Sequence, residues 1–517
     1  MALVEVLILL AVAVFLFYKW SVSKYHILSD RGIPHEKPTP LIGNINTKIL
    51  LGKSSFLKFI IGRYQAYKNS KIYGIYTMRD CNIHIRDLDL IKKVGIKDFD
   101  TFPNHNSAAG DGGETFLSKS LIALKDQKWR EMRNSLSPAF TGSKMRMMFI
   151  LVNECVVEAV NYINSEIQAV GNHEVDIEMK DFFTRFTNDA IASTAFGIQV
   201  NSFNDRNNEF YRTGKAVTEF TGLVLLKAIL VGLVPKVMKL LRIKLFDDKI
   251  LNYFNHLVID AMKYRAKHKI VRPDMIHLLM EAKQHYEEKN ADSVGEYAEF
   301  TDEDLLAQCT LFFVAGFETV SACLCFTAHE LLENPEVQNR LYEEILDTQN
   351  SLKGKPFNYD ALMKMNYMDM VISESLRKWP PVILTDRICS ADYNLKDDEG
   401  NLVAEIKKGD NIFVPIIGIH RDPEYYPNPE EFDPERFSEV NRSEINPLSY
   451  LPFGVGPRMC IGNRLALMEV KTIIYHIILN FQIVRAEKTC ENLMESISGF
   501  ALIPKERFWM KFVPRIS

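Results

Sequence analysis

Cys460 sits in the run Phe453-Gly454-Val455-Gly456-Pro457-Arg458-Met459-Cys460-Ile461-Gly462, which surrounds one cysteine with the residue types an iron-bound thiolate needs. A thiolate held against a metal in a poorly solvated place requires backbone N–H donors and a chain that bends around it. Gly456 and Gly462 permit such a bend, because glycine reaches positive φ without a Cβ penalty. Arg458 can pair a haem propionate, and Phe453 can shield the sulfur from water and oxidation. Cys460 is therefore the candidate haem ligand. The plainer alternative is a buried cysteine, the usual fate of that residue type.

A second constellation lies upstream. The segment from about Thr301 to Glu333 has few helix breakers, carries Asp302, Glu303 and Asp304 near its start, and stops before Asn334-Pro335. Acidic residues suit a helix N-terminus and proline suits a boundary, so one long helix is expected. At its middle is Ala315-Gly316-Phe317-Glu318-Thr319. Ala315 and Gly316 leave room for a flat ligand or for oxygen, and Thr319 can turn its hydroxyl to the carbonyl four residues back. The alternative is a packed helix with a close-contact glycine and a satisfied threonine. Glu374 and Arg377 share a helix face by their spacing, which is ordinarily a solvated pair of little worth. Trp129 and Arg133 are also one helical turn apart and can both reach propionates; taken alone they could equally be cation–π packing.

The elements that must position these groups belong to a chain of 517 residues, 47% hydrophobic and 25% charged, which permits a large buried core and argues against disorder. A formal charge of -4 gives no reason to expect a nucleic-acid partner. The eight cysteines have no CxxC pair and no regular spacing, so a reducing compartment fits best. The run from Ala2 to Tyr18 is long enough, as a helix, to span a bilayer. Its early charge is Glu5, and Lys19, Lys24 and Arg31 follow it, a charge order that favours an uncleaved anchor with the rest of the chain in the cytosol over a cleaved signal peptide. Pro34, Pro38 and Pro40 then discourage helix and predict a stiff hinge. The expected division is an anchor over 1–20, a linker and proline-rich hinge over 21–44, and a catalytic domain over 45–517. The apolar stretch Leu223 to Val234 reads equally as a dip into the membrane or as a buried helix.

Together these residues resemble the cytochrome P-450 superfamily, the haem-thiolate monooxygenases. Phe453, Gly456, Arg458, Cys460 and Gly462 meet every fixed position of its Phe-x-x-Gly-x-Arg-x-Cys-x-Gly signature, and Ala315, Gly316, Glu318 and Thr319 match its oxygen-activation motif. Glu374 and Arg377 form its Glu-x-x-Arg element, joined in family terms by Arg436 of Pro434-Glu435-Arg436-Phe437 in a buried structural network. Trp129 with Arg133, and Arg387 after the Pro380-Pro381 turn, stand at propionate-binding positions. The variants around Ala315, Glu318, Pro434 to Phe437 and Leu136 to Thr141 look most like insect microsomal members. Val320 after Thr319 and a hinge less regular than Pro-Pro-Gly-Pro depart from the usual pattern.

The resemblance implies a mainly α fold with small β-sheets after a single N-terminal transmembrane anchor helix. Haem b (iron protoporphyrin IX) would lie between the long helix and the Cys460 loop. It also implies O2 activation helped by the thiolate, with Thr319 and Glu318 managing protons. Electrons would come from an NADPH-dependent reductase, with cytochrome b5 as a second donor, because the chain has no flavin or dinucleotide domain of its own. Lys119, Lys125, Lys128 and Arg130 read either as a docking face for that donor or as a solvated face. Phe116, Phe312, Phe313, Val382 and Phe500 fall at substrate-contact positions, although each could be ordinary core. A lipophilic substrate at the endoplasmic reticulum membrane follows, with foreign compounds the first expectation. An endogenous fatty acid, terpenoid or steroid is the alternative, and a non-catalytic haem-binding membrane protein is the rival of another class.

Overall fold

A computed structural model describes residues 2–106, 118–171, 173–218, 248–272, 274–289, 300–500 and 502–515, with isolated positions between 227 and 243. Phe116 and most of the 223–234 stretch lie outside the described residues. The apolar N-terminus forms helix α1 (Ala2–Val22), and every side chain from Leu3 to Trp20 is exposed. A largely apolar helix whose side chains are exposed from Leu3 to Trp20 suits lipid. The helical N-terminus is long and apolar enough to cross a membrane, with a mean hydropathy of 2.2.

Beyond α1 the chain is strapped onto the first two strands. The fold has strands β1 (Ile72–Thr77), β2 (Asp80–Ile85), β3 (Val175–Glu178), β4 (Thr385–Ile388), β5 (Tyr393–Lys396), β6 (Leu402–Ile406), β7 (Asn411–Val414), β8 (Phe481–Val484) and β9 (Trp509–Pro514). The Arg79 guanidinium lies 4.2 Å from the Trp20 ring centroid, and Lys24 reaches Asp80 at 2.9 Å. Tyr25 donates its hydroxyl to the carbonyls of Thr39 and Met78, while Leu28 and Ile33 are buried. The Gly74 amide donates to the Pro34 carbonyl at 2.8 Å. The stiffness expected from three prolines is thus reinforced by docking.

The strands form a sheet of order β1-β2-β7-β4, a second of order β3-β9-β8, and the hairpin β5-β6. In the first, β2 and β7 run parallel and β4 pairs antiparallel to β7, setting Arg387 opposite Ile412. The helices that build the site are α2 (Asp126–Leu136), α3 (Gly142–Val170), α4 (Met179–Ile191), α5 (Asp302–Glu333), α6 (Asn366–Lys378) and α7 (Asn463–Asn480). The expected long helix is α5. Thr301 and Asp304 close a capping box at its start, and it ends at Asn334 before Pro335. Phe313, Phe317, Leu324 and Phe326 bury its core face, and Thr187 of α4 donates its hydroxyl to the Phe317 carbonyl at 3.1 Å. A Cβ on Gly316 would stand 3.1 Å from Ile191, so the glycine permits the close approach of α4.

Glu374 and Arg377 of α6 are not the solvated pair that their spacing alone predicts. Both side chains are 0% exposed, and Arg377 donates Nε to Glu374 Oε2 at 2.7 Å and Nη2 to Oε1 at 2.8 Å. Glu374 also accepts from the Asp433 amide and pairs with Arg436 Nε at 3.4 Å. Arg377 further donates to the carbonyls of His420 and Glu431. His420 carries the network onward, accepting from the Leu451 amide at Nε2 and leaving Nδ1 to donate to the Arg377 carbonyl. That pairing needs a neutral ring, and burial pushes His420 down to about 3. Leu451 opens the run that leads to Cys460, so this network fixes the base of the cysteine loop.

Removing either partner strands the other charge in the core. Glu374→Ala or Arg377→Ala is expected to cost about 3–5 kcal/mol in unfolding measurements on the haem-loaded protein. A loss no larger than that of a surface ion pair would contradict the assignment. A second expectation concerns Glu469 of α7, which burial pushes up to about 8. A carboxyl protonated in the fold but ionised in the unfolded chain above about pH 4.3 loses stability as pH rises toward 8. Glu469→Gln should therefore gain, relative to wild type, on the order of 3 kcal/mol between pH 5 and pH 8. Parallel wild-type and variant stability curves across that range would refute the buried neutral acid.

Candidate functional site

The loop around Cys460 is bent by Gly454 and Gly456, at φ +81° and +69°. A Cβ on Gly456 would fall 1.9 Å from the Gly95 carbonyl oxygen, so only glycine fits there. Gly462 corrects the sequence expectation: its φ is -90°, an ordinary value, and it forms the N-cap of α7. What a Cβ there would approach is open space and the Phe140 ring, at 3.9 Å. The second left-handed position is Gly454, which the signature leaves unspecified.

The Cys460 amide donates to the Phe453 carbonyl at 2.9 Å, closing the loop, with Phe453 half-buried beside it. The cysteine is open to solvent, yet protein surrounds it on most sides. Burial pushes its thiol up, and the Gly462 amide and the Arg133 guanidinium pull it back. The N-terminus of α7 begins three residues on, with its dipole favouring negative charge nearby.

A second opening lies on α5. Ala315 is exposed in the middle of an otherwise packed helix, and Thr319 donates its hydroxyl to the Ala315 carbonyl at 2.6 Å, the back-bond expected from its type. Phe140 joins the two walls, because its ring packs edge-on against half-buried Phe312 at 5.7 Å as well as standing over Gly462. Gln308, one helical face with Phe312, accepts from the Leu121 amide and donates to the Lys119 carbonyl, both at 2.8 Å. Glu318 points elsewhere: its Oε2 accepts from Lys180 Nζ of α4 at 2.6 Å.

Cations gather near the cysteine, where Arg133 acts on Cys460 and both Arg133 and Arg387 act on Arg458. Arg458 donates to the carbonyls of Pro103, Leu121 and Leu124 and to Asn104 Oδ1, with its guanidinium 4.0 Å from the Trp129 ring centroid. Arg387 donates to the carbonyls of Val455 and Asp386, and its Nε is buried without a partner. Burial, with the neighbouring Arg387 charge, pushes Arg458 down to about 9, and burial pushes Arg387 down to about 10. Burial lowers Arg133 as well. Three buried or half-buried guanidiniums with an orphaned N–H between them call for anionic carboxylates. An open thiol, a cleared helix flank and a cationic edge fit a flat iron ligand carrying two propionates.

Other expectations fare differently. Phe313 is fully buried in an aromatic cluster with Phe196, Phe210, Phe254 and Phe317 and packs as core in this structure. The reason is helical phase, since Phe313 points 100° from Phe312 and away from the exposed flank. Val382 and Phe500 are exposed, and Phe500 rests on Phe56 at 5.1 Å. The basic docking face is weakened, because Lys119 pairs with Glu303 and Arg130 with Asp100. Sequence reasoning missed His420 and Asn104, whose roles are made by backbone groups distant in the chain and leave no local signal.

The cytochrome P-450 family model matches residues 33–510. The probable cytochrome P-450 9h1 of Drosophila melanogaster is 50% identical over 98% of each chain, and cytochrome P-450 9c1 of the same fly is 49% identical over 100% of this chain and 99% of its own. Cytochrome P-450 9e2 of Blattella germanica is 40% identical over 95% of each. With similarity running nearly end to end, this chain belongs to the cytochrome P-450 family.

Proposed function

We propose that this protein is a haem-thiolate monooxygenase of the endoplasmic reticulum membrane, with its catalytic domain in the cytosol, that oxidises lipophilic foreign compounds such as plant toxins and insecticides. Electrons come from NADPH through a partner reductase, with cytochrome b5 as an accessory donor. The observation that carries the reading is the pairing of one open cysteine, in a glycine-bent loop, with a cluster of buried arginines that lacks its anions. The apolar α1 supports the membrane setting, and the insect cytochrome P-450 relatives support the monooxygenase chemistry.

In this reading Cys460 would hold the haem iron through its sulfur, and Arg133, Arg387, Arg458 and Trp129 would hold the propionates. Haem b, when bound, supplies the redox chemistry that inserts one atom of O2 into the substrate and releases the other as water, consuming two electrons and two protons. Phe453 would shield one side of the sulfur from water. Thr319 holds a hydroxyl proton on the cleared flank of α5, and Glu318 beside it is the acid that replenishes it. Phe312 contributes apolar surface that favours a lipophilic substrate. Glu374, Arg377 and Arg436 hold the loop and touch no reactant. A scaffold without turnover would have no need of the Thr319 flank.

The test is the reduced, carbon-monoxide-bound difference spectrum of wild type and Cys460→Ser. A thiolate-type Soret band lost in the variant is expected, and haem-loaded wild type without that band would overturn the ligand assignment. Product profiling with reductase across unrelated lipophilic compounds then decides the role. Turnover of many foreign compounds supports the proposal, whereas efficient turnover of a single fatty acid, terpenoid or steroid sinks it.

A further inference from the structure

Glu318 and Thr319 are neighbours in sequence but point about 100° apart around α5. The Thr319 hydroxyl bends back to Ala315 on the open flank, whereas the Glu318 carboxylate meets Lys180 on the flank packed against α4. Lys180 is firmly placed. It is the second residue of α4, where Glu178 accepts from its amide and from that of Asp181. Its Nζ also donates to Ser321 Oγ at 2.8 Å, and Ser321 donates in turn to the Glu318 carbonyl at 3.1 Å. The Lys180 side chain is 14% exposed and that of Glu318 34%. Among the described residues, Lys180 is the cation paired with this carboxylate.

We propose that Lys180 is a positioning residue for proton delivery, holding Glu318 as an ion-paired carboxylate at the place where solvent recharges it. This rests on the reading that Glu318 and Thr319 handle protons. After Glu318 gives its proton toward the Thr319 hydroxyl it is an anion in a half-buried site. Lys180 stabilises that anion and draws it to the partly exposed flank, where it takes the next proton from water. Without Lys180 the anion loses the cation paired with it among the described residues, and with it its orientation. Ser321, two residues past Thr319, has its place here as the second acceptor that aims Nζ.

The experiment compares haem-loaded wild type, Lys180→Met, Glu318→Gln and the double variant with reductase and any substrate the enzyme turns over. The product formed per NADPH consumed should fall roughly fivefold in Lys180→Met, with a raised solvent deuterium isotope effect. Glu318→Gln should fall at least as far and the double variant no further, because the lysine acts through the acid. Lys180→Arg should restore most of the ratio. Thermal unfolding of the same proteins supplies a readout apart from turnover, with non-additive shifts expected for a pair that exists in solution. Should Lys180→Met fail to load haem, Glu318→Asp makes the same break by withdrawing the carboxylate one methylene. Wild-type coupling in Lys180→Met beside a defective Glu318→Gln overturns the Lys180 proposal alone, as do additive unfolding shifts. Wild-type coupling in Glu318→Gln overturns the proton-handling reading and this proposal with it.

Discussion

A carboxylate and a guanidinium with no water around them hold this structure's site together. Glu374 and Arg377 neutralise one another inside the core, and their further partners are backbone groups of the stretch from His420 to Asp433 together with Arg436. The cost of desolvating two charges is recovered only when the geometry is complete, so the pair acts as a check that this stretch is in place. His420 passes that constraint to Leu451 and thus to the cysteine loop. The loop itself is then shaped by a single close approach, Gly456 against the Gly95 carbonyl.

The site is built from opposite demands on burial. Protein surrounds the cysteine on most sides, and that burial pushes its thiol up. The Gly462 amide, Arg133 and the α7 N-terminus offset the penalty with fixed positive charge. At the far edge the imbalance is reversed: Arg387 and Arg458 are buried as cations with carbonyls for company and too little negative charge. A dianionic ligand resolves that imbalance, so binding it and stabilising the fold are one process.

Along α5, small differences in helical phase divide the labour. Phe313 and Phe317 serve the core, Ala315 and Thr319 the open flank, and Glu318 and Ser321 the contact with α4. Gly316 allows α4 near enough for Lys180 to reach the acid. The open flank and the packed faces are therefore served by residues one position apart on the same helix.

The sequence by itself determined what is local. It shows an apolar helix long enough for a membrane, the capped helix over Asp302–Glu333, the Thr319 back-bond, the cysteine between glycines and the family to which these belong. Spacing and residue type suffice there because each feature is satisfied within a few residues. Tertiary structure alone decided the rest. Whether Glu374 and Arg377 are buried depends on elements more than forty residues away, His420 among them. Gly462 is ordinary in φ and Gly454 is not, because Cys460 folds back on Phe453. Phe313 is core and Glu318 faces Lys180, because packing fixes the rotation of α5 and a helix read alone has no preferred side.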